Sequence, residues 1–131
     1  MRPMTTVDEL LATARASLNR LTPEEAHHAA VAGDLLVDIR PVEQREDDGR
    51  IPGADIVQRN AAEWRLDPRS PHRDPTLAHS GRRVIVICNE GYQSSLLAAT
   101  LRTFGVDATD VIGGVQDWAR SGLPIEGAQA R

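Results

Sequence analysis

The chain has 131 residues, enough for one α/β or α+β domain with its own core. Hydrophobic residues make up 40% and charged residues 26%, the balance of a soluble globular protein, and with aromatics at 3% the core must rest on Val, Ile, Leu and Ala. The net charge is −4, and the 15 basic residues, all arginine, are scattered, which excludes the basic footprint of a nucleic-acid binder.

Apolar runs fall far short of the ~20 residues of a membrane span. There is no C-x-x-C and no Cys/His cluster of zinc-site spacing. A single cysteine forms no internal disulfide, and without a signal-like N-terminus the expected compartment is the reducing cytoplasm.

Thr6 and Glu9 make a capping-box pattern, and Val7, Leu10, Leu11, Ala14 and Leu18 recur at helical spacing. Residues 1–20 therefore read as an N-terminal helical extension, able to pack on the rest of the chain or on another copy. Thr22, Pro23 and Glu25 open a second helix, expected to run to about Ala32 and stop at Gly33. His27 and His28 on it point two ways and make a poor metal site. Leu35–Ile39 predicts a strand ended by Arg40 and Pro41. Glu43 to Arg50 is charged enough to read as a solvated segment. Ile51-Pro52-Gly53-Ala54 turns into a second strand over roughly Asp55–Gln58.

Residues 60–82, broken at Pro68, Pro71 and Pro75, predict short helical pieces in irregular surface structure. Val84–Ile87 is unbroken and β-branched, as in a strand covered on both faces. After a loop over Asn89–Gln93, a helix is expected over Ser94–Phe104, with Leu96, Leu97, Ala98, Leu101 and Phe104 on or near one face and Gly105 at its end. Thr109–Ile112 predicts another strand. Gly113-Gly114 turns into a last helix carrying Trp118, stopped by Gly122 before Pro124. Strands alternating with helices predict an α/β fold, a mostly parallel central sheet with helices on both faces.

Cys88 is the centre of the chemistry. It stands at the carboxyl end of the most buried strand, the end at which open α/β sheets bind ligands. The loop Asn89-Glu90-Gly91-Tyr92-Gln93 leads directly into a helix opening at Ser94. A helix start offers unpaired N–H groups and a partial positive charge, and a tight run of N–H groups forms an anion-holding nest. Both stabilise a thiolate, the nucleophilic form, without a His or Lys partner. The plainer alternative is a cysteine that only fills space. Gly91 and the immediate helix start weigh against it.

Cys88-Asn89-Glu90-Gly91-Tyr92-Gln93-Ser94-Ser95, followed by an Ala/Leu-rich helix, resembles the active-site loop of the rhodanese family. Three further blocks agree in family order. Val37-Asp38-Ile39-Arg40 is similar to its Asp-x-Arg block. Gly49-Arg50-Ile51-Pro52-Gly53-Ala54 is similar to Gly-His-Ile-Pro-Gly-Ala, with Arg50 in place of His. Gly113-Gly114-Val115-Gln116-Asp117-Trp118 with Gly122-Leu123-Pro124 resembles the closing Gly-Gly-x-x-x-Trp and Gly-x-Pro. The implied organisation is the extension at 1–20, a rhodanese-like domain at 21–127 and a tail at 128–131.

The resemblance implies a single-domain sulfurtransferase. A sulfane-sulfur donor such as thiosulfate, or a persulfidated protein, gives its outer sulfur to Cys88. The Cys88 persulfide then passes it to cyanide, a thiol or a protein. No metal or organic cofactor is implied, and no nucleic acid or membrane partner. The backbone N–H groups of Asn89, Glu90, Gly91, Tyr92, Gln93 and Ser94 would hold the persulfide, with Tyr92 walling the pocket. Asp38 and Arg40 are read as loop support that ties loops together by hydrogen bonds, and Trp118 as core.

Many thiosulfate-using members carry Arg or Lys in this loop. Here Glu90 leaves it with one negative charge, so thiosulfate is expected to be a poor donor if Glu90 faces the pocket. A phosphatase relative of the fold uses Cys-x5-Arg to grip phosphoryl oxygens. The sixth position after Cys88 is Ser94, which removes that reading's most needed residue. Two alternatives stand beside the sulfur carrier: a non-catalytic binding module that keeps the fold, and a single-cysteine redox sensor dependent on an external thiol.

Overall fold

The computed structural model describes residues 4–78 and 81–127. Four strands form one parallel sheet: β1 (Leu35–Asp38), β2 (Asp55–Ile56), β3 (Val84–Ile87) and β4 (Ala108–Asp110), in the order β2-β1-β3-β4. The central pair β1 and β3 is buried along its whole length. Its side chains alternate between two cores, as the period of two in a strand requires. Leu35, Val37, Val84 and Val86 enter one cluster, and Leu36, Ile85 and Ile87 the other. The mixed α/β architecture expected from the alternating pattern is the one found.

Helices cover both faces. On one side Ala26 of α2 (Pro23–Val31) and Val115 and Trp118 of α6 (Gly114–Arg120) close the second cluster. On the other, Ala62 and Leu66 of α4 (Ala62–Leu66) and Leu97, Ala98 and Leu101 of α5 (Gln93–Thr103) close the first. The extension's helix, α1 (Val7–Ala16), packs on α5. Both first helices open on the capping boxes read in the sequence. Thr6 and Glu9 exchange two bonds of 3.1 Å, and Thr22 and Glu25 exchange bonds of 2.9 and 3.2 Å.

The connector after α1 is stitched to the edge of the sheet. Thr109 Oγ1 donates to the Asn19 carbonyl at 2.7 Å, and Leu21 N–H donates to the Asp110 carbonyl at 3.0 Å. The extension is thereby held on its own domain.

Two expectations change. The charged stretch after Pro41 is a helix, α3 (Val42–Asp48), not an open solvated segment. It buries no residue, so it carries no apolar period to read. It is fixed by the buried Arg40, which donates to the carbonyls of Gln44 and Gly49 at 3.4 and 2.8 Å. The edge strands β2 and β4 cover Asp55–Ile56 and Ala108–Asp110, not the expected 55–58 and 109–112; β2 stops at Ile56 because its partner β1 ends at Asp38. No described helix is long and apolar enough to cross a membrane.

Trp118 is 1% exposed, and its indole N–H reaches the Pro124 carbonyl at 2.8 Å. Trp118→Ala is expected to lower unfolding free energy by ~3–5 kcal/mol in urea titration. The capping box also sets a pH dependence. The Glu25 carboxyl is held below its ordinary value, first by the Thr22 backbone N–H and then by its hydroxyl. Its contribution is therefore present above the ordinary carboxylate value and is lost as pH falls through the lowered one. Glu25→Ala should be less stable than the parent at neutral pH, with the gap closing in acid.

Candidate active site

Cys88 follows directly on β3, and the chain turns through residues 89–92 into α5. The turn brings two backbone donors onto the sulfur: Gly91 N–H at 3.2 Å and Ser94 N–H at 3.4 Å from Sγ. That geometry depends on Gly91. Its φ is +91°, a left-handed conformation that side chains disfavour, and a Cβ there would stand 2.9 Å from the Gly113 nitrogen.

The start of α6 supports the loop from one side. Val115 N–H donates to the Cys88 carbonyl at 2.9 Å and Gln116 N–H to the Asn89 carbonyl at 3.1 Å. The approach is so close that a Cβ on Gly114 would lie 2.4 Å from the Cys88 carbonyl oxygen. The Gln116 side chain also holds Asn89 Oδ1 at 3.0 Å and Asp48 Oδ2 at 3.1 Å.

A buried polar cluster supports the loop from behind. The Asp110 carboxylate accepts both Ser94 Oγ and Ser95 Oγ at 2.7 Å, and Arg20 Nε and Nη2 at 2.8 and 3.2 Å. Arg20 Nη2 reaches on to the Gly91 carbonyl at 3.2 Å. Arg15 donates to the same carbonyl at 2.7 Å and to Ser95 Oγ at 3.1 Å.

Cys88 is 8% exposed, and it opens into a cavity of about 320 Å³. Asn89, Glu90, Tyr92 and Gln93 line this cavity with Arg40, Ile39, Pro41 and Gln44. Glu90 and Tyr92 are exposed, whereas Gly91 and Ser94 are buried and do not line the cavity; they meet the sulfur through their backbone N–H groups. Asp38 does not line it. Instead Asp38 Oδ2 holds Arg40 Nη2 at 2.8 Å in a pair that is 2% and 0% exposed. Losing one partner of such a buried pair costs on the order of 3–5 kcal/mol. Concavities of about 410 Å³ beside Val42, Arg45 and Arg50, and of about 440 Å³ beside Gln58, Arg65 and Asp74, are larger but contain no cysteine.

The arrangement offers a cysteine sulfur, fixed N–H donors directed at it, and room beside it for a small molecule. Arg15, Arg20, Asp110 and Gln116 are the participants that the sequence pattern did not single out. Adjacent Ser94 and Ser95 at a helix start and an acidic residue in an apolar strand were the available signals.

Residues 22–121 match the Rhodanese-like domain family. No functionally curated protein matches the chain. Among solved structures, a Rhodopseudomonas palustris protein of unknown function, described as a possible tyrosine phosphatase, superposes with a TM-score of 0.84 at 30% identity, over 96% of this chain and all of that one. A rhodanese-related protein from Thermoplasma volcanium gives 0.68 at 18% identity, over 82% and 97% of the two chains. The polysulfide-sulfur transferase homodimer from Wolinella succinogenes gives 0.63 at 22% identity, over 88% and 83%. These last two show the shared fold alone. With the family matched across most of its length, this chain belongs to the rhodanese-like domain family.

Proposed function

We propose that the protein is a sulfurtransferase that carries sulfur on Cys88. The carrying observation is the pair of backbone N–H groups directed at Cys88 Sγ beside an open cavity. The thiolate attacks the outer sulfur of a sulfane donor. The new S–S bond forms as the donor's own S–S bond breaks, and sulfite leaves when the donor is thiosulfate. The persulfide anion then gives its outer sulfur to cyanide, a thiol or a protein, and the Cys88 thiolate returns. Each step carries negative charge on sulfur, which fixed N–H dipoles favour at a sulfur largely shielded from water. Sulfur transfer is also the activity named for the Wolinella neighbour.

Tyrosine phosphatase chemistry, suggested for the Rhodopseudomonas neighbour, finds little support here. A phosphoryl group needs a bidentate guanidinium at the sixth position after the cysteine. That position is Ser94, and its hydroxyl is directed to Asp110 at 2.7 Å. A non-catalytic module or a redox sensor would keep the same loop yet transfer no sulfur.

Cys88→Ser tests the proposal. The fold should persist, with thermal unfolding close to the parent's. Sulfur transfer to cyanide, read as thiocyanate, should be lost, because a serine hydroxyl without a base is not ionised at neutral pH. Equal transfer by the serine variant would refute the role of Cys88.

Donor choice follows from charge. Glu90 lines the cavity, and Arg40, its cationic neighbour there, is already paired with Asp38. A dianion such as thiosulfate then meets the Glu90 carboxylate and the Cys88 thiolate together. A less charged or protein-bound persulfide should be the better donor. Glu90→Arg should raise thiosulfate kcat/KM by about tenfold at low salt, with the gain shrinking as salt screens it. An unchanged rate would remove the argument from donor charge.

A further inference from the structure

The Cys88 loop contains a carboxylate and no cation, since the sequence holds no arginine between Cys88 and Arg102 and no lysine at all. Two guanidinium groups reach it from the N-terminal extension, outside the matched segment 22–121. Both end on one atom, the Gly91 carbonyl oxygen, Arg15 at 2.7 Å and Arg20 at 3.2 Å. They are not equivalent. Arg20 is neutralised by the buried Asp110 carboxylate. Arg15 has only neutral acceptors, the Gly91 carbonyl and Ser95 Oγ, and among the described residues no carboxylate stands at ion-pair distance from it. Its guanidinium carbon lies 6.0 Å from the Tyr92 ring centroid.

We propose that Arg15 is a positioning residue for the Cys88 site, supplying through the Gly91 carbonyl the positive charge that the loop itself lacks. The inference deepens the sulfur-carrier reading, and its catalytic consequence rests on that reading. A charge-assisted bond to the Gly91 carbonyl pins the residue whose N–H meets the sulfur. The bond to Ser95 Oγ pins the first turn of α5, which holds the second donor, Ser94 N–H. A half-buried charge is screened less than one in open water, so it acts on any anion at the sulfur, thiolate or persulfide, and opposes Glu90.

Three variants of the full chain separate charge from packing. Arg15→Met keeps the apolar stem, Arg15→Gln keeps a donor without charge, and Arg15→Lys keeps the charge. Cys88 alkylation by iodoacetamide, an uncharged reagent, is measured at pH ~7 and low salt, beside thermal unfolding and the kcat and KM of sulfur transfer. Met and Gln variants should alkylate about tenfold more slowly than the parent, with kcat falling more than KM rises. Lys should recover most of the rate. Parental alkylation in the Gln variant would overturn the proposal, as would a Lys variant as slow as the Gln variant. Should the Met variant fail to fold, the Gln and Lys pair decides by the same criterion. A parent that alkylates readily but transfers no sulfur would overturn the sulfur-carrier reading alone, and the alkylation rates would still decide the role of Arg15.

Discussion

A buried carboxylate organises the site. Asp110 is fully shielded from water, and its oxygens collect Arg20 from the N-terminal connector and both Ser94 and Ser95 from the start of α5. An ionised carboxylate out of water costs several kcal/mol unless such donors surround it. Satisfying Asp110 therefore locks the edge strand, the connector and the first turn of α5 into one arrangement. Ser94 stands at the junction. Its hydroxyl serves Asp110 and its backbone N–H meets the Cys88 sulfur, so a requirement of folding also places a donor at that sulfur.

The sulfur environment is built from backbone where chemistry needs constancy and from side chains where it needs choice. The N–H groups of Gly91 and Ser94 do not titrate in the ordinary pH range; the close approach of Gly113 fixes the first, and the bond from the Ser94 hydroxyl to Asp110 fixes the second. The side chains of Glu90, Tyr92 and Gln44 line the cavity and make no hydrogen bond to the sulfur. On the proposed reading the fold supplies the stabilisation of sulfur anions, and the rim selects which donor reaches it.

The local parts of this arrangement were legible in sequence. Val84–Ile87 announces a strand covered on both faces, and two Thr/Glu boxes announce α1 and α2. The Cys88–Ser95 run gives the family loop, and Gly113-Gly114 the tight turn beneath it. The non-local parts were not legible. Arg15 and Arg20 lie 76 and 71 residues from Gly91, and no periodicity links an arginine on an amphipathic helix to a carbonyl that far along the chain. Whether the extension would pack on its own domain stayed open for the same reason. The helix α3 was missed because it buries nothing and is shaped by Arg40 bonding its carbonyls. The support expected of Asp38 and Arg40 could be framed from their place at a strand end, whereas the Gly49 carbonyl as their further partner could not.

The central claim is that Cys88 holds a transferable sulfur atom. Intact-mass measurement of the purified protein after exposure to a sulfane-sulfur donor, then to cyanide, tests it most directly. The account predicts a single addition of ~32 Da, one sulfur atom, located on Cys88 and removed by cyanide. An unmodified mass with every class of donor, neutral polysulfide and protein persulfide included, would contradict it, as would an adduct that cyanide leaves in place.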